Sequence, residues 1–170
     1  MDVAHYQDAY MAVKGDCSDW GESHCWEWKG FQCHWRVLGE HNQRSIVLLH
    51  GFGASSDHWR YNASPLASAG YKVFGLDLIG FGKSDQLLPH QVRLDNLFWS
   101  DQLAAFIKEI VDPSALGGVV LVGNSLGSLV ALTTVAFHPE LVCALIAAPL
   151  PDPLFISNSF KFVPKWWLRL

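Results

Sequence analysis

The sequence predicts an α/β fold, a mostly parallel sheet with helices on both faces. Three observations point there. Apolar strand-like runs alternate with helix-patterned segments across short loops: SIVLLH (45–50), YKVFGLDL (71–78), VVLVGN (119–124) and LVCALIAAPL (141–150). The runs are nearly continuous in apolar residues rather than strictly alternating, as strands covered on both faces are. And VVLVGNSLGSLVAL (119–132) runs four apolar residues straight into Gly123-Asn124-Ser125-Leu126-Gly127, then resumes with apolar and small residues.

The totals agree with one domain. The chain has 170 residues, half of them hydrophobic and 16% charged, and a domain of that length hides roughly 70% of its unfolded surface. A net charge of −4 and a pI near 6 give no sign of an electrostatic partnership with nucleic acid, and none is expected. No apolar run reaches the ~18 residues a membrane span needs, and the N-terminus lacks the basic and apolar regions of a secretory signal. Four cysteines, Cys17, Cys25, Cys33 and Cys143, are few for a disulfide scaffold. The expected location is therefore the cytoplasm, or a plastid stroma in a plant or alga. Eight tryptophans cluster toward the two ends of the chain, as surfaces that cover something do.

Residues 1–24 are polar and aperiodic and read as an extension. CWEWKGFQCHWRVLG alternates with period two around Lys29-Gly30, the pattern of a β-hairpin. After the strand at 45–50, a helix is expected over Asp57–Ala69, complicated by Pro65 and ended by Gly70. The strand at 71–78 follows. From Leu94 to Val111, Trp99, Leu103, Phe106 and Ile110 fall on one helical face. Asp112-Pro113 and Gly117-Gly118 break the chain before the strand at 119–124. Leu126 to Phe137 reads as a helix apolar almost all round, hence buried. Pro149, Pro151 and Pro153 stop the strand within 141–150. The core is expected over 25–153, with residues 154–170 starting a cap. Ligands of such sheets bind beyond the carboxyl ends of the strands, here His50–Gly53, Asp77–Asp85, Gly123–Gly127 and Pro149–Pro153.

G-x-S-x-G between a strand and a helix is a nucleophile elbow. The tight turn presents the Ser125 hydroxyl above the sheet edge, and positions 123 and 127 must be small because they press on neighbouring backbone. The positive end of the following helix favours an oxyanion beside Ser125. One oxyanion donor is then the Leu126 N–H. The second comes from a loop after an earlier strand, where Phe52 N–H is the candidate, with Gly51 and Gly53 allowing close approach and His50 orienting the loop. The competing reading makes Ser125 a plain helix cap.

The ordered set WEWKGFQCHW, LLHGFGASSDHWRYN, GLDLIGFGKSD, GNSLGSLVAL and HPELV, over about residues 25–150, resembles the α/β-hydrolase fold family. Within it, the chain looks most like plant-plastid and cyanobacterial hydrolases of the pheophytinase-like and chlorophyll-dephytylating kind. Proteins labelled epoxide-hydrolase-like or haloperoxidase-like are similar too. True epoxide hydrolases and haloalkane dehalogenases of this fold use an Asp nucleophile; Ser125 resembles the ester, thioester and C–C bond hydrolases instead.

The resemblance implies the order Ser, acid, His, because a serine hydroxyl needs an imidazole to take its proton. After Ser125 the sequence offers His138 alone, carried ~18 Å away by the helix at 1.5 Å per residue, too far to be the base. Asp152, between two prolines, is a turn residue or the triad acid. The expected chain is therefore the fold through about strand six and the start of the cap, without the triad acid and histidine. Asp77 reads as architectural. GFGKS is not a P-loop, since Asp77 stands where that motif needs its first glycine. His24, Cys25, Cys33 and His34 lack zinc-knuckle spacing, so no metal and no cofactor are expected.

The functional expectation is the core half of a serine hydrolase for a small apolar ester, inactive or nearly so alone. The alternative is a non-catalytic module that holds a hydrophobic ligand or a partner chain, with self-association through the open edge of the sixth strand. The C-terminal FKFVPKWWLRL reads as an amphipathic cap segment, or as a lid that touches a membrane interface or a long isoprenoid-like substrate.

Overall fold

The computed structural model describes residues 20–86, 95–112 and 117–148. Its elements are β1 (Glu22–Trp28), β2 (Phe31–Leu38), β3 (Arg44–Leu49), α1 (Ala63–Ser68), β4 (Tyr71–Leu76), α2 (Asn96–Phe106), β5 (Val119–Gly123), α3 (Leu126–Phe137) and β6 (Val142–Ala147). They build a six-stranded sheet in the order β1-β2-β4-β3-β5-β6. The pairs β3/β4, β3/β5 and β5/β6 are parallel, while β2 runs against both neighbours. The α/β sheet with helices is therefore as the sequence predicts.

The hairpin forms where expected, with Trp28 paired to Phe31. Lys29 and Gly30 both adopt positive φ, 50° and 81°, the backbone of the two-residue turn whose twist matches its strands. β1 begins at Glu22, and the core reaches back to Trp20, which is buried, donates its indole N–H to Ser56 O at 3.0 Å and accepts from Arg36 Nη1. The extension therefore joins the core earlier than the polarity of residues 1–24 suggests.

The helix expected over Asp57–Ala69 is two pieces, a 3₁₀ turn at Ser56–Trp59 and α1. Proline lacks an N–H and crowds the carbonyl four residues before it, so Pro65 is compatible with the first turn of a new helix and not with one running through residue 61. α2 starts on the Asp95 carboxylate, which accepts the Phe98 N–H at 3.0 Å. Its last turn widens to a π-helix over Ile107–Val111. The extra residue rotates the buried face, so Ile107 is fully buried and Ile110 only half.

One face of the sheet, through Val47, Leu49, Phe74, Leu76, Val119 and Leu121, packs against Trp99, Leu103 and Phe106 of α2 and Leu126, Val130 and Ala131 of α3. The other, through Ile46, Leu48 and Val73, packs against Trp20, Trp59 and Ala63. α3 is not buried all round: Leu132, Ala136 and Phe137 face outward, since a helix lying on a sheet hides only the side that meets it.

Beyond β4 the backbone bonds side chains instead of a strand. Leu78 N–H donates to His50 Nε2 and Ile79 N–H to Gln102 Oε1. The buried Asp77 carboxylate accepts from Ser56 N–H (2.6 Å), Lys83 N–H (2.9 Å) and His34 Nδ1 (2.9 Å). Burial alone raises a carboxyl pKa, but these donors outweigh it and pull Asp77 down to about 2.

Two outcomes are expected. Trp99→Ala, which empties a core site and removes the indole N–H from Ile79 O, costs about 3–5 kcal/mol, seen as a lower urea midpoint with an unchanged slope. Asp77 has a depressed folded pKa, so its stabilisation is complete above the ordinary value of 3.8 and is lost as pH falls through about 2. Asp77→Asn should flatten that acid limb and cost about 1–3 kcal/mol at neutral pH; an unchanged acid limb in urea titrations would show that the donors do not hold the charge.

Candidate active site

The carboxyl end of β5 and the start of α3 form the bend that the glycine spacing predicts. Ser125 sits there at φ 52°, ψ −111°, a left-handed backbone that costs a non-glycine residue about 1–3 kcal/mol. Its side chain makes no helix-capping bond, so the plain-cap reading does not describe it. The strain is held by close packing. A Cβ on Gly123 would lie 2.5 Å from Gly127 backbone, and one on Gly127 would lie 2.4 Å from Leu49 O. Asn124 N–H bonds Leu49 O at 3.0 Å, and Ser128 Oγ donates to Gly123 O at 2.7 Å. Glycine is needed at both positions because backbone occupies the space of a side chain.

Leu126 is the first residue of α3, and its N–H lies outside the intrahelical ladder. The loop after β3 packs on the bend. A Cβ on Gly51 would come 2.8 Å from Asn124 Oδ1 and 3.4 Å from Ser125 Cβ. Phe52 follows directly; the residue is 42% exposed, with its ring edge-on to Phe81 at 5.3 Å. Gly53 has open space around its Cβ position and φ 70°, so it serves the turn of the loop rather than the close approach expected of it. Ser125, Leu126, Gly51 and Phe52 are thus gathered at one sheet edge.

His50 is fully buried. Its Nδ1 meets Gly51 O at 2.8 Å, and its Nε2 accepts Leu78 N–H at 3.0 Å. Burial lowers its pKa, against the raising effects of the Gly51 bond and Asp77. A neutral imidazole with both nitrogens engaged orients a loop and does not accept a serine proton. His138 ends α3, 3.9 Å from Glu140. Among the described residues no imidazole or carboxylate hydrogen-bonds Ser125. Asp152 and the C-terminal segment lie outside the described residues.

The loop after β4 is closed to phosphate. Lys83 N–H, which a phosphate cradle would aim outward, donates to Asp77, and a Cβ on Gly82 would strike the Asp77 carboxylate at 2.2 Å. Cys33 is buried and its thiol is pushed up to about 12, chiefly by that burial, which disfavours the thiolate a metal needs. Glu22, His24 and Glu40 bring ligand atoms within 4.8 Å of one another, at an exposed edge of the kind where acidic groups converge without an ion.

The sequence reading missed Gln102, fully buried on α2, which bridges Ile79 N–H and Asp77 O. Its place three residues after Trp99 and four before Phe106, on the face those residues define as apolar, is the signal it left. It also missed that His34 and Arg36 are buried. Their alternation with Cys33, Trp35 and Val37 marked them as facing the other way, without saying that this way is also inside.

In the described residues no helix is long and apolar enough to cross a membrane. A family profile described as the alpha/beta hydrolase fold matches residues 44–168. The human protein epoxide hydrolase 4 is 31% identical over 82% of this chain and 37% of its own length. An Escherichia coli 2-hydroxy-6-oxononadienedioate/2-hydroxy-6-oxononatrienedioate hydrolase is 33% identical over 69% of this chain and 40% of its own. Among solved structures, a thioesterase domain from the curacin biosynthetic pathway superposes with a TM-score of 0.71 at 28% identity, covering 79% of this chain and 48% of that one. The chain spans about two fifths of the length of these curated relatives. The matching profile, the sheet order and the solved neighbours agree, and the chain belongs to the α/β-hydrolase fold family.

Proposed function

We propose that these residues carry the nucleophile and oxyanion hole of a serine hydrolase for a small, apolar, ester-type substrate. The observation that carries it is Ser125 at positive φ on the strand-to-helix bend, its hydroxyl unused by the helix it begins. Ser125 Oγ attacks the acyl carbon, and the Leu126 and Phe52 amides receive the charge that develops on the carbonyl oxygen. The Ser125 proton goes to an imidazole oriented by an acid, neither of which is among the described residues. The relatives' names span epoxide, C–C bond and thioester chemistry. A serine at the elbow favours the last two and ester cleavage over the first, since epoxide hydrolases of this fold attack with Asp. The exposed Phe52 beside Phe81 favours an apolar acyl or leaving group.

A second reading, a module that holds a partner chain, is favoured by β6. Among the described residues it has a neighbour on one side alone, and Ile146 on it is 54% exposed. An unpaired strand edge recruits another strand. Size-exclusion chromatography separates the readings, because a concentration-independent monomer speaks against the module.

Two outcomes test the hydrolase reading. Without its base a serine hydrolase keeps only the ~10³–10⁴-fold advantage of oxyanion hole and binding. Fluorophosphonate labelling mapped to Ser125 in these 170 residues should therefore be slow and should accelerate on adding imidazole; brisk, stoichiometric labelling without it overturns the need for an outside base. Gly51→Ala, whose Cβ meets Asn124 and Ser125, should slow that residual labelling by about 10²-fold, and an unchanged rate means the loop does not hold the oxyanion.

A further inference from the structure

The structure holds a Ser–His–Asp hydrogen-bonded line that does not involve Ser125. Ser23 on β1, His34 on β2 and Asp77 after β4 meet in sequence, with Ser23 Oγ 2.6 Å from His34 Nε2 and His34 Nδ1 2.9 Å from Asp77 Oδ2. The strand register explains the meeting. Ser23 pairs with Arg36, so His34, two residues along β2, projects on the same face. Asp77 N–H continues the sheet to His34 O at 2.9 Å, which brings its carboxylate beside the imidazole.

The proton positions follow from the partners. Asp77 already accepts the Ser56 and Lys83 N–H groups and stays ionised. An ionised carboxylate only accepts, so His34 Nδ1 carries the hydrogen; in the neutral ring Nε2 is then an acceptor and the Ser23 hydroxyl its donor. That is the protonation pattern of a base-activated serine. Asp77 and His34 are buried while Ser23 is exposed, so the line opens to solvent at its nucleophilic end. A two-residue turn makes Trp28–Phe31 a hydrogen-bonded pair, and alternation along the register makes Ser23–Arg36 a non-hydrogen-bonded one. The Ser23 N–H therefore faces the outer side of β1, which no described strand occupies.

We propose that Ser23 is a second nucleophile, independent of Ser125, that is acylated or phosphonylated by small activated esters, with His34 as its base and Asp77 as the group that orients His34. Ser23 Oγ forms a bond to the acyl carbon or phosphorus as the bond to the leaving group breaks. The hydroxyl proton passes to His34 Nε2 and from there to the departing phenolate, alkoxide or fluoride.

The test uses the 170-residue chain carrying Ser125→Ala, treated with a fluorophosphonate and mapped by peptide mass spectrometry. An adduct is expected on Ser23, forming at least about 100-fold faster than on the exposed Ser64 of the same molecule, and about 100-fold faster than in the Ser125→Ala, His34→Gln double variant. The comparison with Ser64 stands even where His34→Gln fails to fold. Ser125→Ala, Ser23→Ala should leave no fast-reacting site. No adduct on Ser23, a rate on Ser23 no greater than on Ser64, or fast labelling that survives Ser23→Ala each overturns the proposal, and none of them bears on Ser125.

Discussion

The buried carboxylate of Asp77 is the constraint on which the loops at the sheet's carboxyl edge depend. It takes backbone N–H groups from the loop after β3 and the loop after β4 and an imidazole from β2, while its own carbonyl accepts from Ser84 and Gln102. A charge so deep is costly unless its lone pairs are filled, and here filling them fixes three chain segments at one point. One residue on, His50 takes the Leu78 N–H and so ties the end of β3 to the same point. The loop that carries Phe52 is thus positioned from below by polar contacts and from the side by the Phe81 ring.

The elbow is a different kind of constraint, steric rather than electrostatic. Ser125 keeps an unfavourable backbone because Gly123, Gly127, Leu49 and the Gly51–Asn124 contact leave no room to relax. The energy that holds it comes from the core below, where Leu126, Val130 and Ala131 seal α3 onto Leu49 and Leu121. Strain at Ser125 and close packing beneath it are one arrangement seen from two sides.

Charge and hydrogen bonds also separate what looks catalytic from what is placed to act. His50 is beside the elbow yet neutral and fully engaged. His34 is remote from the elbow in the fold's logic, yet it has an ionised acid on one nitrogen and a hydroxyl on the other. Proximity in sequence to a motif says little about proton transfer; the partners of each ring nitrogen say much more.

What the sequence by itself determined was local: the period-two hairpin, the buried strands at 44–49, 71–76 and 119–123, and the elbow, because each is encoded by neighbours a few residues apart. Boundaries were less legible. Pro65 split one expected helix, and the π turn after Phe106 traded Ile110 for Ile107, since both depend on backbone geometry that hydrophobic period does not record. Tertiary structure alone decided the fate of isolated polar residues. Gln102, His34 and Asp77 are buried partners from α2, β2 and the end of β4, and no spacing along the chain says which residues they meet, because a hydrogen bond between distant segments exists only once the sheet has set their register.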